Sequence, residues 1–164
     1  MKKLLVIAAL IAFSFGHSQA YSGKGDGKFQ VGANFQDNGT GLNVSYDYGI
    51  GENISVGVSS TYVLGLSDKL TDEANFGDRY DLRVRFNANI GNVLAIDDNF
   101  DLYPGLSLGL KNFGGHLGAR YFFTSGFGLY TEFNVPFAKY DTSLTAEQKL
   151  HNQFTLNFGA VFNL

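Results

Sequence analysis

The sequence predicts an all-β fold, an eight-stranded antiparallel up-and-down transmembrane β-barrel. Three observations predict it. Eight stretches in turn alternate apolar with small or polar residues, the period of a strand with one greasy face. The composition, with 21 Gly, 16 Phe and 9 Tyr against 2 Pro, suits Gly-punctuated strands better than helices. The last stretch, 153–164, reads QFTLNFGAVFNL and carries the alternation to the final residue.

Residues 1–20 read as a secretory signal peptide removed from the mature chain, and 21–164 as one barrel domain. Lys2 and Lys3 form a basic start, residues 4–15 an apolar run too short to span a bilayer as a helix, and Ser18-Gln19-Ala20 a small-residue cleavage site. Loss of two lysines takes the basic residues from 12 to 10 against 15 acidic ones, so the net charge goes from -3 to -5. That balance argues against nucleic acid as a partner. The absence of Cys excludes disulfides, thiolate metal sites and a lipid-bearing cysteine.

The first strand is expected at 28–36, where Phe29, Val31, Ala33 and Phe35 alternate with Lys28, Gln30, Gly32 and Asn34. Residues 37–40, Asp-Asn-Gly-Thr, make a hairpin turn, since Asn and Gly tolerate positive φ. The second strand, 41–49, sets Leu42, Val44, Tyr46 and Tyr48 against Asn43, Ser45 and Asp47. The third, 53–64, sets Ile54, Val56, Val58, Tyr62 and Leu64 against Ser55, Gly57, Ser59 and Thr61. A long polar stretch, 65–78, precedes the fourth strand at 79–90, with Tyr80, Leu82, Val84, Phe86, Ala88 and Ile90 opposite Asp81, Arg83, Arg85, Asn87 and Asn89.

Residues 91–99 read as a turn resting near the membrane interface, although Val93-Leu94-Ala95-Ile96 mimics a strand. The fifth strand, 100–111, carries Pro104, where a bulge or kink is expected because proline donates no ladder bond. Residues 112–115 are expected to turn into the sixth strand, 116–124, and Ser125-Gly126 into the seventh, 127–138. A second polar stretch, 139–152, leads to the closing strand, and in it Thr145 and Gln148 have the spacing to cap a helical turn.

A soluble cup would hide the apolar face inside, but an eight-stranded interior is only wide enough to be filled by side chains, not by so many large apolar ones. The small, polar face fits that interior, so the apolar face points outward, and an outward apolar belt is stable only in lipid. A closed barrel also pairs every strand, as a bilayer demands. Phe29, Tyr48, Phe100 and Phe127 at one rim, and Phe35, Tyr62, Tyr80, Phe137 and Phe154 at the other, fit interfacial girdles. Both long stretches fall on the side away from the termini, which is the cell exterior in this class.

The closing strand, with Phe154, Leu156, Phe158, Phe162 and a terminal Leu164, resembles the C-terminal insertion signal of outer-membrane barrels, which usually ends in Phe. Over its whole mature length the chain resembles the small eight-stranded barrels of the OmpA transmembrane-domain and OmpX type. The resemblance implies a monomer in the outer membrane of a Gram-negative bacterium, with outer-membrane lipid around it. It also implies the barrel-assembly machinery and periplasmic chaperones as partners during biogenesis.

Charged residues on the inward face are Lys28, Asp47, Asp81, Arg83, Arg85, Asp101, Lys111, Arg120 and Glu132. Buried charge is stable only when paired, so Arg83, Arg85 and Arg120 are expected to form an ion network with Glu132 and Asp47 near mid-depth, plugging the lumen. An ion path is the functional alternative. His116 and His151 are expected near the outer rim, where with Asp141, Glu147 or Ser143 they suggest a metal or lipid-hydrolysing site. No spacing motif supports that site, and no cofactor, metal or catalytic residue is assigned. The role expected is structural or surface-interactive, with a narrow pore and a lipid A-modifying enzyme as alternatives.

Overall fold

Period-two patterning with short turns leaves each strand beside its sequence neighbour, and the last strand beside the first. In the computed structural model, which describes residues 19–67, 70 and 74–164, that is the arrangement found. The strands are β1 (Gly27–Gln36), β2 (Gly39–Gly49), β3 (Ile54–Leu66), β4 (Tyr80–Ala88), β5 (Phe100–Gly109), β6 (Asn112–Phe122), β7 (Phe127–Lys139) and β8 (Thr155–Asn163). They close in sequence order into one barrel, every pair antiparallel. The seam between β1 and β8 runs from Lys28 opposite Asn163 to Gln36 opposite Thr155. The expected signal segment 1–18, and 68–69 and 71–73 of the first long stretch, lie outside the described residues.

The faces divide as the alternation predicts. On β2, Leu42, Val44, Tyr46 and Tyr48 are exposed while Asn43, Ser45 and Asp47 are buried; on β4, Leu82, Val84 and Phe86 are exposed while Asp81, Arg85 and Asn87 are buried. The barrel is therefore apolar outside and polar inside. Aromatic contacts gather at both rims. At the end that holds the chain terminus, hereafter the terminal end, Tyr121–Phe123, Phe123–Phe127, Phe127–Phe162 and Phe29–Phe162 form an arc with centroids 5.4–6.5 Å apart. At the opposite, loop end, Phe113–Phe137 and Phe133–Phe154 pair at 6.1 and 5.9 Å. There Phe76 bridges Tyr62 and Tyr80, at 5.5 Å from each.

The turns depart from expectation in two places. The first hairpin needs only Asp37 and Asn38, with Asn38 at φ 62°, so Gly39 and Thr40 already belong to β2. Residues 112–115 are not a turn. β5 ends at Gly109, only Leu110 and Lys111 reverse the chain, and Asn112 to Gly115 pair with β7. Gly-Gly reads as a turn signal in sequence, yet here both glycines sit where backbones crowd. A Cβ on Gly114 would lie 2.6 Å from the Val135 carbonyl oxygen, and one on Gly115 2.4 Å from the Phe137 ring. Lys111, expected inside strand five, therefore stands in that turn.

Pro104 makes no bulge against β6, whose register runs unbroken from Phe100 to Leu108. Its effect falls on the other neighbour: the β4–β5 ladder covers only Gly105 to Gly109. The 91–99 connection is a turn, and it contains a short helix, α2 (Gly91–Leu94). The first long stretch holds another, α1 (Phe76–Arg79), closed by a capping box between Asn75 and Asp78. In the second, a 3₁₀ turn spans Glu147–Lys149. Gln148 Oε1 accepts from the Thr145 N–H at 3.1 Å, half of the expected cap, while the Thr145 hydroxyl turns to the Glu147 carboxylate.

Candidate functional site: the polar lumen

The inward positions bring charges from five strands to one place. Asp47 and Arg85 are not direct neighbours. Gly57 on β3 lies between them in register, paired with both. A Cβ on Gly57 would lie 2.3 Å from Asp47 Oδ1. Without one, Arg85 Nε reaches Asp47 Oδ1 at 3.1 Å. The other side of the same guanidinium donates to Glu132 Oε2 at 2.5 Å. Arg120 donates to Asp101 Oδ2 from Nε at 3.0 Å and from Nη2 at 2.9 Å, gives a further bond to Asn89 Oδ1 at 2.7 Å, and sets Nη1 3.6 Å from Asp47 Oδ2. Asp47 thus links two guanidiniums, and the cluster of Arg85, Arg120, Asp47, Asp101 and Glu132 is buried throughout.

Rings and amides fill what the charges leave. Tyr103 lies under Arg120, whose guanidinium carbon is 4.3 Å from the ring centroid. The ring rests on Gly118, its register partner on β6, where a Cβ would sit 2.0 Å away. The Tyr103 hydroxyl accepts from Gln30 Nε2 at 3.1 Å, and Gln30 Oε1 accepts from the Ser45 hydroxyl at 2.7 Å. Asn34 donates to Asn157 at 2.7 Å, and Asn157 to Glu132 at 3.3 Å.

Of the expected network, Asp47, Arg85, Arg120 and Glu132 come together. Arg83 does not join them: it lies toward the loop end, where Nε donates to Asp81 Oδ2 at 2.6 Å. Asp101, on the inward face but not placed in the network, is the principal partner of Arg120. Which inward charges meet depends on strand stagger, which alternation does not encode. Asp26, in a lead-in without any pattern, forms a buried ion pair with Lys28.

Chain segments outside the strands lie at both mouths. At the terminal end, 20–26 fold across the opening. The Tyr21 hydroxyl donates to the Ile54 carbonyl at 2.6 Å, with the Gly51 carbonyl at 3.1 Å, and Ala20 packs with Phe122, Tyr130 and Val161 in an apolar cluster. Burial pushes the Tyr21 phenol up to about 12. At the loop end, 150–153 dip into the mouth. The Leu150 carbonyl accepts from Gln36 at 2.9 Å and Gln153 at 3.0 Å. The His151 carbonyl accepts from Asn112 at 2.8 Å and Arg83 at 3.4 Å. Burial holds the His151 imidazole below its ordinary value, opposed by the nearby Asp81 carboxylate. Beneath it a cavity of about 10 Å³, room for about one water, is bordered by Asn34, Gln36, Asn134 and Glu132.

The two histidines do not share a rim site. His116 lies inside the lumen, its Nε2 2.7 Å from Asn87 Oδ1, because β6 begins at Asn112 and carries residue 116 down into the barrel. His151 is tucked beneath its own loop. Asp141 and Ser143 are exposed and bonded to each other, Ser143 N–H to Asp141 Oδ1 at 2.8 Å. Among the described residues no group of three or more His, Cys, Asp or Glu stands together as a metal would require.

Three comparisons bear on this architecture. The chain belongs to DUF6646, a family of unknown function, which it matches over residues 11–164. No curated protein matches it. A solved structure described as "De novo design of transmembrane beta-barrels" is similar over 86% of this chain and 97% of its own, with TM-score 0.57 at 11% identity. That likeness shows the fold, a transmembrane-type β-barrel.

Proposed function

We propose that this member of DUF6646 is an integral outer-membrane protein of a Gram-negative bacterium, with a lumen closed to solutes and a structural or surface-interaction role. On this reading it behaves like the small OmpA- and OmpX-type barrels. It crosses the inner membrane with a signal peptide, is folded by periplasmic chaperones and the barrel-assembly machinery, and stands as a monomer in outer-membrane lipid. The C-terminal strand, with Phe154, Leu156, Phe158, Phe162 and Leu164, supplies the insertion signal. The terminal end faces the periplasm, and the stretches around α1 and the Glu147–Lys149 turn face outward.

The observation that carries the reading is the inversion of faces. Leu, Val, Phe and Tyr cover the outside of every strand, while carboxylates, guanidiniums and amides are buried inside. Water offers no reason for that arrangement, and a bilayer requires it. Closure of the lumen is supported by the Arg85–Asp47–Arg120 cluster, the Tyr103 ring and the two mouth segments. The test is flux. Vesicles carrying the purified barrel are expected to retain entrapped ions and small sugars as protein-free vesicles do. Discrete conductance steps in a planar bilayer, altered by Arg120→Ala, would overturn closure in favour of a pore.

A further inference from the structure

The β4–β5 connection is out of character for the end it occupies. The other two turns there, 50–53 and 123–126, are short, whereas this one runs from 89 to 99. It presents Val93, Leu94 and Ile96 at 64%, 48% and 62% exposure. It is also held firmly. Ile90 N–H donates to the Leu102 carbonyl at 2.8 Å, Gly91 N–H to Asp101 Oδ1 at 3.2 Å, and Asn92 Nδ2 to the Tyr21 carbonyl at 2.8 Å. A Cβ on Gly91 would lie 2.3 Å from the Phe100 carbonyl oxygen, so that corner is packed hard against β5.

The polar groups of 90–92 are thus engaged by the barrel and its mouth segment, and Val93, Leu94 and Ile96 are left outward, followed by the exposed Asp97 and Asp98. Ala95 closes α2 in the left-handed region, at φ 49° and ψ 41°, a conformation that favours glycine. The chain accepts it between two exposed apolar residues. On either side lie outward positions of the lipid-facing belt, Ala88 and Ile90 before the turn and Phe100 and Leu102 after it, so the apolar surface is continuous with the barrel wall.

We propose that residues 93–96 form an interfacial anchor, seated at the boundary between headgroups and acyl chains of the periplasmic leaflet. The occupant of this surface is lipid, because the patch continues the belt, while the exposed Asp97 and Asp98 that follow Ile96 mark where the turn returns to water. It fixes the depth and tilt of the barrel from below. The proposal rests on the membrane reading given above.

The chain has no Trp, so a single introduced Trp reports its own surroundings. Ile96→Trp, with Leu108→Trp as a belt control and Asp141→Trp as an exposed-loop control, is reconstituted in phosphatidylcholine vesicles containing lipids brominated at shallow or deep acyl positions. The expected result is blue-shifted Ile96→Trp emission, strongly quenched by shallow bromines and weakly by aqueous acrylamide. Ile96→Trp emission as red and as acrylamide-sensitive as that of Asp141→Trp, with Leu108→Trp still quenched by lipid, would overturn the anchor and leave the membrane reading standing. Loss of lipid quenching at Leu108→Trp as well would overturn both. Shielding of Ile96→Trp that disappears on dilution in the vesicle would assign the patch to a second copy and overturn the lipid assignment. Val93→Trp repeats the measurement should the first variant fold poorly.

Discussion

Different interactions hold the chain segments at the two mouths of this barrel. At the terminal mouth an apolar cluster, Ala20 against Phe122, Tyr130 and Val161, is joined by the Tyr21 hydroxyl on a strand-end carbonyl and Asn92 Nδ2 on the Tyr21 carbonyl, with the buried Lys28–Asp26 pair behind it. The loop mouth is sealed by amide and guanidinium donors that hold two backbone carbonyls, over a small polar cavity. Among the described residues, His151 Nε2 and Asn152 Nδ2 at this mouth are buried without a bonded partner, as Asn163 Oδ1 is at the terminal end, where the cluster around Ala20 is apolar. Unpaired buried polar atoms are costly, and more of them gather at the loop mouth, so its segment is expected to release before the terminal one. The comparison teaches that segments lying across the two ends of one barrel need not be held equally fast.

The largest expected effect comes from the cluster between the mouths. Arg120→Met leaves Asp101 and Asp47 buried with one guanidinium fewer, a loss of about 3–5 kcal/mol, read as a lower urea midpoint of the folded band in detergent. Next come the seals themselves. Tyr21→Phe removes one donor and costs about 1 kcal/mol without changing the loops, whereas Asn112→Ala costs a similar amount yet exposes 140–153 to protease. Equal protease resistance of Asn112→Ala and the parent would break the comparison, because it would make the loop seal as permanent as the other.

The mouths are also expected to answer pH in opposite directions. His151 is held below its ordinary value, so its docked form binds fewer protons than its free form. Its contribution is full above the ordinary pKa of 6.5 and is lost as pH falls below it. Tyr21 is held up, at about 12, so its contribution is full below 10.0 and is lost as pH rises from there toward 12. The protection of amides 150–153, taken relative to their intrinsic exchange rate at each pH, is expected to fall at pH 5, whereas release of 21–26 is expected only in strong base. The smallest effect is at Thr145, whose partners are exposed: Thr145→Ala is expected to change stability by less than about 0.5 kcal/mol and to leave the loop docked.

The wall of the barrel was legible because alternation has only one cause in a strand that faces lipid on one side and a packed lumen on the other. Leu82, Val84 and Phe86 against Asp81, Arg85 and Asn87 could be read without any structure. The seals were not legible. Residues 20–26 and 150–153 have no period, since each residue there answers to a different part of the rim. Asn112 was hidden by the Gly-Gly that follows it, which is as much a signal for close strand packing as for a turn. Within the lumen, facing was readable but partnership was not. Alternation placed Asp101 and Arg83 on the same inner face, and only the stagger of β4, β5 and β6 sent Arg120 to the first and set the second apart.

The central claim is a closed barrel whose apolar face meets lipid. Electrophoresis of an outer-membrane fraction in SDS, with and without boiling, tests it most directly. The account predicts that the unboiled protein migrates as a compact, detergent-resistant band that shifts on boiling. A single unshifted band, recovered from the soluble periplasmic fraction, would contradict it.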